Sequence, residues 1–90
     1  MPSYLVETYL ARTEARERRA RERRARSVAE ELTRRGTRVR FEHSIHVPED
    51  ELCFFVFGAP SAVKAALAAE RAGLDPIRVI EAVSSRKEEQ

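Results

Sequence analysis

The hydrophobic positions switch between two periods along the chain, and the switches predict its elements. Ser3-Tyr4-Leu5-Val6-Glu7-Thr8-Tyr9-Leu10 is short and rich in aromatic and β-branched residues, which predicts a strand. From Thr13 to Arg35 no proline or glycine intervenes, and Ala, Arg, Glu and Leu dominate, all strong helix formers. Thr13 is placed to cap this helix, and Glu14 and Glu17 lie in the first turns, where carboxylates complement the helix dipole. Gly36 supplies a left-handed stop. Ala25, Val28, Ala29 and Leu32, at i, i+3, i+4 and i+7, form the buried stripe. Toward the N-terminus the stripe thins to Ala11, Ala15 and arginine stems.

Period two returns in Thr37 to Val47, where the odd positions from Val39 onward are apolar except His43. This predicts a strand buried on one face. Pro48-Glu49-Asp50 reads as a turn. Leu52-Cys53-Phe54-Phe55-Val56-Phe57 is apolar on both faces, as in a strand covered on both sides. Gly58-Ala59-Pro60 ends it. Ser61 opens a second helix through Ala72, with Val63, Ala66, Leu67 and Glu70 on adjacent turns, and Gly73 closes it. A fourth strand spans Ile77 to Val83, and Ser84 to Gln90 is a polar tail.

The order β-α-β-β-α-β is the split βαβ pattern of an α+β, ferredoxin-like fold. It predicts one domain over residues 1–83, a four-stranded antiparallel sheet with two helices on one face. Two helices cannot cover two faces. Phe54 and Val56 point opposite to Cys53, Phe55 and Phe57, so one apolar row lies on the helix-free side. Each large side chain gains about 1.5–3 kcal/mol on full burial, which makes a wet row expensive. A homodimer through this face removes the surface, and twofold dimers are the commonest oligomers.

Composition adds limits. The 90 residues are 42% hydrophobic and 36% charged, with a net charge of +2. That is too apolar for a disordered tail and too charged for a membrane segment. Met1-Pro2-Ser3-Tyr4 lacks the basic and apolar regions of a signal peptide, and no apolar run approaches a spanning length. The single cysteine, Cys53, excludes an internal disulfide framework. A soluble, cytoplasmic domain is expected. The small net charge conceals a split: residues 12–40 carry twelve arginines against five glutamates, and the remainder five basic against ten acidic residues.

That arginine-rich helix invites a nucleic-acid reading, because arginine clusters attract phosphates. The strand pattern opposes it. An RNA-recognition strand wants a basic residue and glycine before alternating aromatics, whereas Glu51-Leu52-Cys53 precede contiguous Phe54-Phe55. The arginines also lie opposite any stacking sheet surface. Glu14-Arg18 and Glu22-Arg26 are i, i+4 pairs in the favourable order, which favours a solvated, ion-paired helix over nucleic-acid binding and leaves a module that sets this helix against an anionic partner as a third reading.

The opening Tyr4-Leu5-Val6-Glu7-Thr8-Tyr9-Leu10, the hairpin Ser44-Ile45-His46-Val47-Pro48-Glu49-Asp50-Glu51-Leu52-Cys53-Phe54, and the segments Ala59-Pro60-Ser61, Arg71-Ala72-Gly73-Leu74 and Ile80-Glu81-Ala82-Val83 together resemble a small bacterial family, frequent in actinobacteria and catalogued as a domain of unknown function. The resemblance covers nearly the whole chain. It implies a ferredoxin-like fold, a dimer and, through one member, nickel binding. Two departures stand out: many relatives carry a histidine about where this chain has Ala68, and His43 and His46 belong to this chain, not to the family.

The residues themselves offer donors for a first-row divalent ion. Glu7, Glu42, His43, His46, Glu49, Asp50, Glu51 and Cys53 are the candidates. In a regular strand His43 and His46 face opposite sides, and Glu42 and His46 lie about 13 Å apart at roughly 3.3 Å per residue. The set that remains is His46, Glu49, Asp50 and Cys53, around the end of the hairpin. Cys53 as a nucleophile is opposed by its apolar strand, which raises the thiol pKa. No nucleophile elbow, phosphate loop, dinucleotide fingerprint or zinc-protease motif is present, and no catalytic residue is assigned. The leading expectation is a dimeric divalent-metal-binding protein, with nickel the implied metal. The alternative is an enzyme or ligand-binding protein that uses a cavity between dimer sheets, with Glu7, Tyr9 and a histidine of the second strand as its polar groups.

Overall fold

The period-two segments form four strands: β1 (Ser3–Tyr9), β2 (Arg40–Val47), β3 (Leu52–Gly58) and β4 (Arg78–Ala82). Between them lie α1 (Glu17–Arg34) and α2 (Ala62–Arg71). Short 3-10 turns occupy Arg12–Glu14 and Pro48–Asp50. This computed structural model describes residues 1–83, so the polar tail lies outside the described residues. The strands order as β2-β3-β1-β4, each neighbouring pair antiparallel, which is the expected ferredoxin-like sheet. Among the described residues no helix is long and apolar enough to cross a membrane.

Strand alternation sorts the side chains as the sequence predicts in β1 and β3. Val6, Thr8 and Leu10 of the first strand region and Cys53, Phe55 and Phe57 of β3 are fully buried in one core with both helices. Thr8 is the polar member, and its hydroxyl donates to the Cys53 carbonyl at 2.7 Å. Leu5, Val56 and Ile80 lie on the other side, where no helix packs, in register across β1, β3 and β4, and Phe54 lies on the same side opposite Glu7.

Both helices end as their glycines predict. Gly36 has φ 100° and Gly73 has φ 71°, a region costly for residues with a Cβ. In α1, Thr37 N–H donates to Leu32 O and Gly36 N–H to Thr33 O; in α2, Leu74 N–H donates to Ala69 O and Gly73 N–H to Glu70 O. These are paired Schellman closures, which satisfy carbonyls that the helix leaves open.

Three expectations are corrected. Thr13 does not cap α1: it lies in the 3-10 turn, and the helix begins at Glu17 without a side-chain cap. Glu14 N–H donating to Ala11 O and Arg18 N–H to Ala15 O satisfy the first turns instead, by i to i+3 bonds. In α2 the buried residues are Ala65, Ala68 and Ala69, while Val63 is 75% exposed. α2 lies against β1 and β4, and its alanine stubs let it approach the sheet closely, so bulk on the helix itself is not needed there. The Ser61 cap does form, its hydroxyl accepting from Lys64 N–H at 3.3 Å.

The third correction concerns β2. A bulge places Phe41 opposite Phe57 but His43 opposite Val56, so two residues of β2 advance where β3 advances one. The single apolar row read from Val39 to Val47 is therefore split. Val39 and Phe41 are buried with the helices, whereas His43 and Ile45 face the helix-free side. Phe41 meets the Phe57 ring edge-on at 5.6 Å, and the Arg26 guanidinium lies 5.3 Å from the Phe41 centroid.

Replacing Phe55 with alanine should lower unfolding free energy by about 3–5 kcal/mol in chemical denaturation, from lost transfer energy and a cavity. Val63→Ala, at an exposed site of α2, should stay within about 0.5 kcal/mol of the parent. A large Val63 effect would restore the stripe first read for α2.

Candidate functional site

The helix-free face is built from alternate residues of all four strands. Leu5, Val56 and Ile80 lie side by side, and Tyr9, 56% exposed, and Ile45, 45% exposed, extend the apolar surface. One buried-edge ion pair crosses it: Arg78 Nε donates to Glu7 Oε1 at 2.7 Å.

The bulge turns one end of this face into a hollow. Ser3, Leu5, Glu42, His43, Ile45, Val56, Ala82 and Val83 line a volume of about 210 Å³. Its walls are mostly apolar, and its polar groups are the His43 imidazole, the Glu42 carboxylate and the Ser3 hydroxyl. Ser3 Oγ donates to Glu42 Oε2 at 3.2 Å, and Arg40 approaches the same oxygen at 3.6 Å. Gly58 makes room for that carboxylate, since a Cβ there would sit 3.0 Å from Glu42 Oε2. His43, exposed on the wall, is the imidazole that β2 adds to the face. Of the polar groups expected in an inter-sheet cavity, His43 therefore lines the hollow, while Glu7 is held by Arg78 and Tyr9 lies at the far end of β1.

Sequence reasoning did not anticipate Ser3 here and read Glu42 only as a metal donor. The available signal was His43, the one polar residue interrupting an apolar row. A break of that kind marks the place where alternation changes face.

The metal-donor set is distributed differently. His46 is directly opposite Cys53 in the β2–β3 ladder, so these two expected ligands are neighbours on the helix-facing side. His46 Nε2 is buried and has no hydrogen-bond partner among the described residues. Glu49 and Asp50 are exposed in the 3-10 turn. Glu51 is occupied structurally, its carboxylate accepting from Arg12 N–H at 3.0 Å and its carbonyl from Leu10 N–H at 2.9 Å. Among the described residues no three His, Cys, Asp or Glu side chains gather to hold a metal ion.

Burial pushes the Cys53 thiol up to about 11, against the lowering influence of Arg18 and Arg21, with Glu22 raising it further. The thiol is therefore neutral near pH 7 and a poor nucleophile.

Among the described residues neither predicted pair, Glu14–Arg18 nor Glu22–Arg26, forms. Glu22 instead accepts from Ser44 Oγ at 2.5 Å, and Arg26 covers Phe41. Arg21 donates to Tyr9 O and Arg24 to Ala72 O, both replacing ion pairs with carbonyl caps on neighbouring elements. Among the described residues Arg71–Glu31, at 3.7 Å, is the one ion pair that involves α1.

Comparison with family models, curated proteins and solved structures finds no match to this chain.

Because the folded thiol pKa is raised above its ordinary value of 9.0, the fold favours the protonated form. That stabilisation is fully present below pH 9 and is lost as pH rises toward 11. Denaturation of the parent should therefore show a stability decline across this window that Cys53→Ala lacks, and native Cys53 should resist alkylation at pH 8.

Proposed function

We propose that the protein is a homodimer through its helix-free sheet faces and binds a small, mostly apolar molecule between them. The hollow at the β2 bulge carries this reading. An apolar recess that presents an imidazole and a hydrogen-bonded carboxylate is the usual composition of a small-ligand site. Covering it with a second sheet would exclude water and strengthen each polar contact inside. The face also suits self-association. Its apolar residues gain from burial, and Glu7 and Arg78 supply opposite charges that a twofold axis can bring into register across the interface. The ligand best matched is compact and apolar with one polar group directed at His43.

Sedimentation should give the parent twice the 10.3 kDa chain mass, and Ile45→Glu, which adds a charge at an already exposed position, should be monomeric and folded. The neutral probe 2-naphthol should bind the parent saturably. His43→Ala should weaken it about tenfold, the scale of one lost hydrogen bond to a polar partner. A monomeric parent, or Ile45→Glu binding the probe as well as the parent, would refute the reading.

Divalent-metal binding, with nickel as the metal suggested by the family resemblance, is the second reading. The unpartnered Nε2 of His46 beside Cys53 favours it, since an imidazole nitrogen and a thiolate are both donors for such an ion. The raised thiol pKa opposes it at neutral pH, because metal must displace that proton. Further donors must come from the hairpin end, where Glu49 and Asp50 lie, because a sheet-face partner would dock on the opposite side. Calorimetric titration with nickel should give binding that His46→Ala abolishes; an absence of heat with the parent removes this reading.

A further inference from the structure

A second recess lies at the sheet edge, between α1 and β2, away from the helix-free face. It encloses about 450 Å³, and its lining includes Ala29, Val39 and Phe41 as an apolar floor. Those three side chains are nearly buried, at 3%, 4% and 7% exposure. Arg26, Arg34 and Arg40 stand around them, with Glu30 as the single acidic lining residue. Thr33 holds the walls together: its hydroxyl donates to Val39 O at 2.8 Å and accepts from Val39 N–H at 3.1 Å.

The charge around this recess is not neutralised internally. Glu30 is one turn from both Arg26 and Arg34, yet forms an ion pair with neither. Arg26 instead lies over the Phe41 ring, and Arg34 has no ion pair or hydrogen bond among the described residues. Arg40 reaches Glu42 only at 3.6 Å and remains 71% exposed. An adjoining hollow shares Thr33, Val39 and Arg40 and adds Arg38. The eight residues from Arg26 to Arg34 rise about 12 Å along the helix, so the guanidinium groups bracket an apolar floor of that length.

We propose that this recess binds an organic anion with an apolar body, a carboxylate or phosphate head on an alkyl or aryl group. Guanidinium groups recognise either head through charge-assisted hydrogen bonds, and the Phe41–Val39–Ala29 floor recognises the body. Neither feature alone suffices: a bare inorganic anion gains nothing from the apolar lining, and a neutral hydrocarbon leaves the cations unmatched. The site does not need the sheet-face dimer, because it is formed between α1 and the free edge of β2; Arg40 is the residue that links it to the open-face hollow, through Glu42.

Backbone-amide NMR titrations with phenyl phosphate and with octanoate test this, with inorganic phosphate as comparator. At least one organic anion should bind with a dissociation constant below about 1 mM, shifting Thr33, Val39, Arg40 and Phe41. Binding of only one of them supports the site and assigns its head group. The double variant Arg34→Gln/Arg40→Gln should bind about tenfold or more weakly, the loss expected for charge-assisted contacts. Arg71→Gln, whose guanidinium pairs with Glu31 elsewhere on α1, should bind as the parent does. The proposal is overturned if inorganic phosphate binds equally well, if the shifts fall on Ile45 and Val56, or if the double variant keeps the parent's affinity.

Discussion

A sheet with two apolar faces and only one layer of helices imposes the constraint from which the other features of this protein follow. β3 contributes Phe55 and Phe57 to the covered side and Phe54 and Val56 to the open one. Alternation makes this unavoidable, since a strand of contiguous large hydrophobes has no polar face to offer. The covered side is filled by sheet aromatics beneath alanine-faced helices. The open side retains Leu5, Ile45 and Ile80, with the Glu7–Arg78 ion pair among them. Oligomerisation is the ordinary physical response to such a surface, and a concave surface gains a chemical use from it.

The bulge in β2 supplies the concavity. By advancing β2 one residue relative to β3, it returns Phe41 to the helices and turns His43 and Ile45 outward. The same shift sends Ser44 and His46 toward the helix side, where Ser44 bonds Glu22 and His46 meets Cys53. One irregularity thus determines the polar composition of both faces. It also decides which face each histidine takes: three residues apart, they lie on opposite sides of the strand, and the shift gives His43 to the open hollow and His46 to the helix-facing layer.

The charge of α1 is organised by local competition. Glu22, spaced to pair with Arg26, is taken by Ser44, and arginines find backbone carbonyls at Tyr9 and Ala72 or the face of Phe41. Exposed i, i+4 pairs contribute only a few tenths of a kcal/mol, so such substitutions are easily made. Their consequence is an excess of unneutralised guanidinium around the α1–β2 recess. A charge count along the helix sees the excess but not the place where it gathers.

The element order, the ferredoxin-like class, the two glycine closures and the two-faced apolar character of β3 were legible in the sequence. Each depends on local chemistry: propensity, positive φ at glycine, or strict alternation. The α2 stripe was misread because alanine and valine look alike in a hydrophobicity pattern, although only packing against the sheet decides which is buried. The β2 face assignment failed for a deeper reason. Register is a relation between strands, and a one-residue bulge reverses every side chain beyond it. So the sequence determined that one sheet face would lack helices. The tertiary structure alone decided that His43, Glu42 and Ser3 meet there, that His46 sits beside Cys53 on the other side, and that the arginines of α1 surround an apolar floor.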